Sequence, residues 1–417
     1  MKIINSFKKN YIFFVCYLTV LIGFYFNEDA LGGAKTDYLF HIEFIELFYK
    51  DLIYGIKNYG YDAYIARNSP VFYIILSFLN KLLSLDLIRL FNTVASLILA
   101  IIFYKCLRLN FNFVKREKLK ILSCIVFLSP TVRSLSIWPY PLLWGLIFFL
   151  VSIFYFLKFL KLDNKKENYF FLSIFFLAIS SYLHINFCVF GIFFLFNYFK
   201  YKKFDYITFY LAIYIVFLAI PALLFIFFRE GIYLFNAEGL PVTFFDILNF
   251  SNKIMIISTI FTFYLIPIID YRLLFSKLKK LNFKNILVII FLYFLIIYNF
   301  DYPYTNSFGG GFFFKLSNLL FNNNLFFYII FFISLFVFYI LFENIKSNYL
   351  LSLILVLYNL QFTIYNKYFD PLLIIISLLI FDIKIQEYFF KQINYLKKIY
   401  FFLFIFYLIY HTKGLFI

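Results

Sequence analysis

Two aspartates near the N-terminus have a setting that suits chemistry at a membrane surface. Asp29 and Asp37 lie in the polar segment Asn27-Glu-Asp-Ala-Leu-Gly-Gly-Ala-Lys-Thr-Asp37, which directly follows an apolar run over 11–26. Charged side chains are costly beside hydrocarbon, so several of them next to a Gly-Gly bend indicate a polar site that faces water or lipid headgroups. The ordinary alternative is a solvated loop.

Later polar segments place single cations among hydroxyl and amide side chains. Arg133 lies in Ser129-Pro-Thr-Val-Arg133, and Lys367 lies in Tyr365-Asn-Lys-Tyr-Phe-Asp-Pro371. Arginine can bind phosphate with two parallel hydrogen bonds and lysine can bind it as a point charge, so these segments suit a lipid-linked phosphate. Snorkelling of basic side chains at the ends of membrane spans is the alternative reading.

Composition places these residues in a polytopic membrane protein. Hydrophobic residues make up 64% of the 417 residues and charged residues only 14%, in repeated apolar runs of membrane-spanning length. The four cysteines are scattered within apolar runs and the three histidines lie in separate segments, so neither a disulfide framework nor a metal site is indicated. Phosphate-binding loops, dinucleotide-binding glycine motifs and serine-hydrolase elbows are also missing from the sequence, which gives nucleotide-driven transport and serine hydrolysis no support.

The positions of Lys and Arg predict the topology. The basic N-terminus, with Lys2, Lys8 and Lys9, is expected in the cytoplasm because the first apolar run lacks a cleavage site and reads as a retained helix. If the apolar stretch 71–83 does not cross the membrane, all later basic clusters also fall inside, as the positive-inside rule requires. The net charge of +17 is then explained by anionic lipid on the cytoplasmic side, without nucleic acid.

This topology predicts an all-α polytopic membrane protein with about 11 to 13 transmembrane helices. The first outer loop, 27–86, is expected to carry two surface helices, one of them an amphipathic stretch over 38–59. The chain is predicted to form a single transmembrane domain over 1–417 without a soluble C-terminal domain. The expected spans are 11–26, 87–107, 121–137, 142–160, 169–184, 187–199, 206–227, 254–269, 286–300, 325–342, 348–365, 370–383 and 399–411.

The order of these features resembles the GT-C superfamily of integral membrane glycosyltransferases, which includes protein mannosyltransferases and lipid A aminoarabinose transferases. The resemblance rests on the acidic first loop, the surface helix, Asn68-Ser-Pro-Val-Phe-Tyr73 at the family's proline-rich segment, and the late Tyr365-to-Pro371 element. It is strongest over residues 10–160 and weaker over 345–385. It implies transfer of a sugar from a polyprenyl-phosphate donor to an acceptor hydroxyl on the outer side of the plasma membrane, with inversion at the anomeric carbon.

The resemblance also implies roles for individual residues. Asp37 is expected to be the general base that takes the acceptor's proton, with Asp29 as the competing choice. The cations expected at the donor phosphate are Arg67, Arg133 and Lys367, with Lys35 as a weaker candidate. His184 and Asn186 lie in a tight turn where they could face the acceptor, although bonding to local backbone groups is the simpler role. No metal is required, and a divalent cation bridging Asp37 and the donor phosphate is chemically reasonable.

Two other membrane functions stay open. A polysaccharide polymerase or ligase of the O-antigen type would use similar donors, but the late outer loop 301–324 lacks the Arg and His expected of it. A lipid-linked oligosaccharide flippase or transporter would place charges within spans and show an internal repeat, and neither is seen. The expected partners are therefore a polyprenyl-phosphate-linked sugar, a lipid-linked or glycan acceptor and the bilayer.

Overall fold

The computed structural model describes residues 2–59, 69–161, 166–228, 249–303, 309–342, 345–359, 361, 363–381, 389–390 and 394–416. These residues form α-helices and short 3₁₀-helices and include no strand, so the all-α fold class is confirmed for them. They divide between two compact units, the first over 1–236 with 400–417 and the second over 237–399.

The first unit contains eleven described α-helices and the C-terminal part of the last one. Short helices in it begin at polar side chains that accept hydrogen bonds from backbone N–H groups, such as Asp51 and Ser129. Its helices are α1 (Lys2–Tyr25), α2 (Ala34–Lys50), α3 (Leu52–Asn58), α4 (Val71–Asn80), α5 (Leu85–Asn110), α6 (Arg116–Ser123), α7 (Pro130–Ile137), α8 (Pro141–Lys161), α9 (Glu167–Leu183), α10 (Phe190–Tyr201) and α11 (Tyr206–Phe228).

The second unit is built around α12 (Phe250–Leu265), a helix in which most residues are buried. Phe261 of this helix packs against Phe338 and Phe381, with ring centroids 5.1 and 5.2 Å apart. The remaining described helices are α13 (Tyr271–Leu278), α14 (Phe283–Tyr298), α15 (Gly311–Phe321), α16 (Leu325–Phe342), α17 (Lys346–Tyr358), α18 (Leu372–Leu379) and α19 (Tyr395–Phe416), the last of which runs on into the first unit.

Several described helices are long and apolar enough to cross a membrane. Four pass this test alone, namely α5, α8, α16 and the stretch Tyr206–Phe225 of α11. A fifth span is possible from Arg116–Leu128 and Pro130–Ile137 together, which are bent by 70° at their junction. The larger number of spans expected from the sequence includes helices of 10–17 residues and stays a prediction.

The described residues of the segment predicted as the first outer loop form helices where the sequence predicts them. The predicted surface helix over 38–59 is two helices, because the Asp51 side chain accepts from the N–H groups of Ile53 and Tyr54 at 2.8 and 3.0 Å and starts α3 there. The helix predicted within 71–83 is α4, whose 10 residues extend about 15 Å, half the thickness of the hydrocarbon core.

An aromatic cluster fixes α2 on α4. Tyr73 of α4 packs against Phe44 of α2 and against Tyr59, with ring centroids 5.1 and 5.8 Å apart, and Phe48 packs on Tyr59 at 5.6 Å. Part of the amphipathic face of α2 is therefore buried against protein, while Leu39 of the same face is exposed. This packing sets the position of the first turn of α2, where Asp37 lies.

Candidate functional site

Asp29 orders the Gly-Gly bend that precedes α2. Its two carboxylate oxygens accept from four consecutive backbone N–H groups, those of residues Gly32, Gly33, Ala34 and Lys35, at 2.9 to 3.2 Å. The N-terminal N–H groups of a helix have no partner within the helix, and a side-chain acceptor placed here satisfies them. Asp29 therefore caps α2, and the four hydrogen bonds occupy the lone pairs of its carboxylate.

Asp37 lies in the first turn of the same helix and is half-buried. A carboxylate in the first turn is favoured by the partial positive charge of the helix N-terminus. The next residue, Tyr38, is buried and packs on Trp138, with ring centroids 5.9 Å apart. The backbone around Asp37 is thus held by Asp29 on one side and by Trp138 on the other.

Two cations from different helices lie over the ring of Trp138. The guanidinium carbon of Arg89 lies 4.0 Å from the centroid of the Trp138 ring, and Lys35 Nζ lies 5.8 Å from it. Arg89 also donates from Nη2 to Asn27 Oδ1 at 2.7 Å and from Nη1 to the exposed Asp86 at 3.3 Å. We call Lys35, Tyr38, Asp86, Arg89 and Trp138 the Trp138 cluster.

The Tyr38 hydroxyl in this cluster is buried and has no hydrogen-bond partner within the described part of the chain. Burial raises the pKa of Tyr38 to about 12, with Asp86 raising it further and Arg89 opposing the change. The phenol is therefore protonated at neutral pH and can donate a hydrogen bond. With two neighbouring cations, it provides donors suited to an anionic oxygen.

Arg133 is buried in an ion pair inside the first unit. Nε and Nη2 donate to the two carboxylate oxygens of Glu28, Nη1 donates to Thr19 Oγ1 and the Phe127 carbonyl, and Nη2 donates to the Thr19 carbonyl. These contacts use all five guanidinium donors. The Tyr407 ring also lies 4.8 Å from the guanidinium carbon. A phosphate could be bound by Arg133 only at the expense of these bonds.

The side chains of α5 complete the C-terminal end of the short helix α7. Asn92 Nδ2 donates to the carbonyls of Leu135 and Ser136 at 2.9 and 2.7 Å, Thr93 Oγ1 donates to Ser136 at 2.9 Å, and Arg89 Nε donates to Ile137 at 3.4 Å. Backbone carbonyls at a helix end must be satisfied by protein where water is excluded. Arg89 thus both closes α7 and stacks on Trp138, which positions the cluster.

His184 and Asn186 lie at the break between α9 and the following 3₁₀-helix, Ile185–Val189. Both are buried, and His184 packs beside Gly145 of α8, where a Cβ would lie 3.1 Å from the His184 Cβ. Asn186 Nδ2 has no hydrogen-bond partner among the residues described by the structure. Both residues are enclosed by protein at the turn. That they contact the acceptor substrate stays a prediction.

Two other predicted phosphate ligands are not part of the Trp138 cluster as described. Arg67 falls outside the described residues. Lys367 belongs to the second unit, is half-buried, and lies over the rings of Tyr365 and Tyr368 at 5.4 and 5.8 Å. Within the described ranges there is no group of three His, Cys, Asp or Glu side chains that could hold a metal ion.

The sequence did not point to three residues that shape this region. They are Glu28 as the partner of Arg133, Arg89 as a candidate phosphate-binding cation, and Trp138. Glu28 is one residue from Asp29, but its partner Arg133 is 105 residues away. Arg89 was visible as the first cation of an apolar helix, and Trp138 as one of only two tryptophans. No local sequence pattern connects Arg89 with Trp138, because they meet only where the end of α7 packs on α5.

A comparison of the chain with protein families, curated proteins and solved structures finds no match. The resemblance to GT-C glycosyltransferases therefore rests on the residues quoted above.

Proposed function

We propose that this protein is a membrane glycosyltransferase that moves a sugar from a polyprenyl-phosphate donor to a hydroxyl of a lipid-linked or glycan acceptor. The observation that supports this most is the Trp138 cluster. It gathers two cations and a buried phenol hydroxyl around Trp138, beside the helix turn that carries Asp37. A carboxylate with nearby anion-binding groups is what transfer from a phosphate leaving group requires.

In the proposed reaction the acceptor hydroxyl oxygen attacks the anomeric carbon of the donor sugar. The bond from that carbon to the phosphate oxygen breaks, and its electron pair leaves with the polyprenyl phosphate. Asp37 takes the acceptor's proton. Lys35, Tyr38 and Arg89 stabilise the negative charge that develops on the phosphate.

The proposal assigns Arg133 and Asp29 to the support of this site. Arg133 is bound within the protein by Glu28, and Asp29 holds the turn before α2. Arg67 and Lys367 stay predicted phosphate ligands. A multi-pass plasma-membrane location with a cytoplasmic N-terminus, an outward-facing site and a GT-C-like arrangement of helices belong to the same proposal.

The test is sugar transfer by the purified protein in lipid nanodiscs, using a panel of labelled polyprenyl-phosphate hexoses and pentoses. We expect Asp37→Asn to lower the transfer rate by about 10²- to 10⁴-fold with folding intact, because it keeps the shape and removes the base. Glu46→Gln on the exposed side of the same helix is the matched control and should transfer normally. The absence of transfer from every donor, or normal transfer by an Asp29→Asn/Asp37→Asn double variant, would refute the mechanism.

A further inference from the structure

Lys253 of the second unit is a buried cation in the first turn of α12. Only 5% of it is exposed, and Nζ donates to the Asn359 carbonyl at 2.6 Å. That carbonyl belongs to the residue directly after the end of α17. The ion pairs found in the described residues do not include Lys253.

A buried ammonium without a carboxylate is costly. The Asn359 carbonyl and the negative end of α17 offset part of this cost. A lysine ammonium has three N–H donors, however, and one carbonyl uses one of them. The other two N–H donors of Lys253 are satisfied only if an anion or another acceptor binds them.

Two polar side-chain atoms without a described partner lie on residues that Lys253 reaches through hydrogen bonds: Asn359, whose carbonyl binds Lys253, and Thr363, whose carbonyl binds the Asn359 amide. Asn359 Oδ1 and Thr363 Oγ1 are buried and have no hydrogen-bond partner within the part of the chain that the structure describes. The Asn359 amide is fixed in place, because Nδ2 donates to the carbonyls of Gln361 and Thr363 at 2.8 and 3.3 Å. Oδ1 is therefore an oriented acceptor on the same residue whose backbone carbonyl binds Lys253.

Ile364, the residue after Thr363, is held by hydrogen bonds and close packing. Ile364 donates to Tyr302 Oη at 3.2 Å and accepts from the Gly310 N–H at 2.9 Å. Gly309 and Gly310 have φ of 69° and 84°, and a Cβ on Gly309 would lie 2.8 Å from the Ile364 carbonyl. Non-helical backbone at membrane depth occurs where it is buried by protein or lines a polar cavity.

We propose that Lys253, Asn359 and Thr363 form a binding site for a phosphate group that carries a neighbouring hydroxyl. The Lys253 ammonium and the Thr363 hydroxyl donate to phosphate oxygens, and Asn359 Oδ1 accepts from the ligand's hydroxyl. A glycerol phosphate has this chemistry, whether it is the headgroup of a lipid or a soluble ester. The inference stands on the second unit alone and does not depend on glycosyl transfer.

The experiment measures binding to the full-length protein in phosphatidylcholine nanodiscs by native mass spectrometry. The lipid probe is short-chain phosphatidylglycerol, and the soluble probes are glycerol 3-phosphate and inorganic phosphate. We expect saturable binding of one molecule, with glycerol 3-phosphate bound more tightly than inorganic phosphate because only the former reaches Asn359. Binding of phosphatidylglycerol alone would assign the site to a headgroup, and binding of both classes would assign it to the phosphate ester itself.

Lys253→Met should weaken this binding by about 10-fold or more, and Thr363→Val by several-fold, since each removes a hydrogen bond to a charged group. Lys280→Met, at an exposed lysine of the same unit, should bind as the wild type does. If Lys253→Met fails to fold, the binding measured for Thr363→Val tests the proposal, because valine keeps the shape of the threonine side chain. Unchanged binding in the folded variant, or no saturable binding by the wild type, would overturn the proposal.

Discussion

At the scale of single residues, burial and pairing separate structural charges from charges available to a ligand. Arg133 and Glu28 are both buried and bind each other through two hydrogen bonds, so each compensates the other's loss of water. Arg89 instead pairs with Asp86, whose side chain is 86% exposed, and lies on the face of Trp138. An incoming phosphate could replace Asp86 at little cost, because exposed ion pairs contribute little.

The first residue-scale prediction is that Arg133 governs folding rather than phosphate binding. Arg133→Met should lower the stability by about 3 to 5 kcal/mol, because it leaves Glu28 as an unpaired buried carboxylate. Adding Glu28→Gln should recover part of that loss. Denaturant unfolding in detergent measures both effects. If the Arg133→Met protein had normal stability but had lost affinity for the donor, Arg133 would be a phosphate ligand after all.

The second prediction distinguishes the two aspartates. Asp29→Ala should lower stability by about 0.5 to 2 kcal/mol, since the N–H groups before and within the first turn of α2 lose their acceptor. Asp29→Asn should retain most of it, because its amide oxygen still accepts. Both variants should transfer sugar at close to the normal rate per folded molecule. If Asp29→Asn were stable but as slow as Asp37→Asn, Asp29 would be the base.

At the scale of helices, the interrupted ones depend on partners distant in sequence. The α7 helix lasts only eight residues, and its terminal carbonyls are satisfied by side chains of α5. After α17, Asn359 and Ile364 are likewise bound by Lys253 and Tyr302. Such breaks let polar groups lie within apolar units.

The sequence predicted continuous helices much better than interrupted ones. The span expected at 325–342 is α16 with the same limits, and the span expected at 142–160 is α8 within one residue at each end. The helix within the span expected at 348–365 ends at Tyr358, and the described part of the span expected at 370–383 contains the helix Leu372–Leu379. An apolar run reveals a helix locally, whereas a break within it is decided by a remote donor such as Lys253.

The same limit applies to the candidate site. Asp29 and Asp37 could be selected from local sequence, because a polar segment after an apolar run is a local feature. That Asp29 caps α2 depends on how the Gly-Gly bend folds, since Gly32 has a φ of 74°. That Arg133 pairs with Glu28 depends on packing across the first unit, which no single-sequence pattern records.

The prediction at this scale concerns Asn92, which joins α5 to α7. Asn92→Leu should lower stability by about 2 to 4 kcal/mol, because it removes the donor for two carbonyls and the acceptor for Trp144 Nε1. Asn197→Leu in α10 is the matched control, since among the described residues this buried amide donates to a carbonyl of its own helix. Thermal unfolding should shift much more for the first variant, and equal shifts would contradict the capping role.

At the scale of the whole molecule, charge and hydrophobic length together argue for one topology. The chain carries a net charge of +17, and its described residues contain several helices able to cross a membrane. The position of every later basic cluster depends on α4, which at 10 residues is too short to span the hydrocarbon core. The topology in which α4 stays outside obeys the positive-inside rule.

The prediction for the whole molecule is that Lys166 faces the cytoplasm and Lys57 faces the outside. Both side chains are exposed, Lys166 directly before α9 and Lys57 near the end of α3, so a cysteine at either position should be reachable without disturbing the fold. In a background without the four native cysteines, a membrane-impermeant thiol reagent should label Lys57→Cys in intact cells and Lys166→Cys only after the membrane is opened. The reason is that an even number of spans would separate the two positions if α4 crossed the membrane, and an odd number separates them if it does not. Labelling of Lys166→Cys in intact cells would place the basic clusters outside and would require α4 to cross.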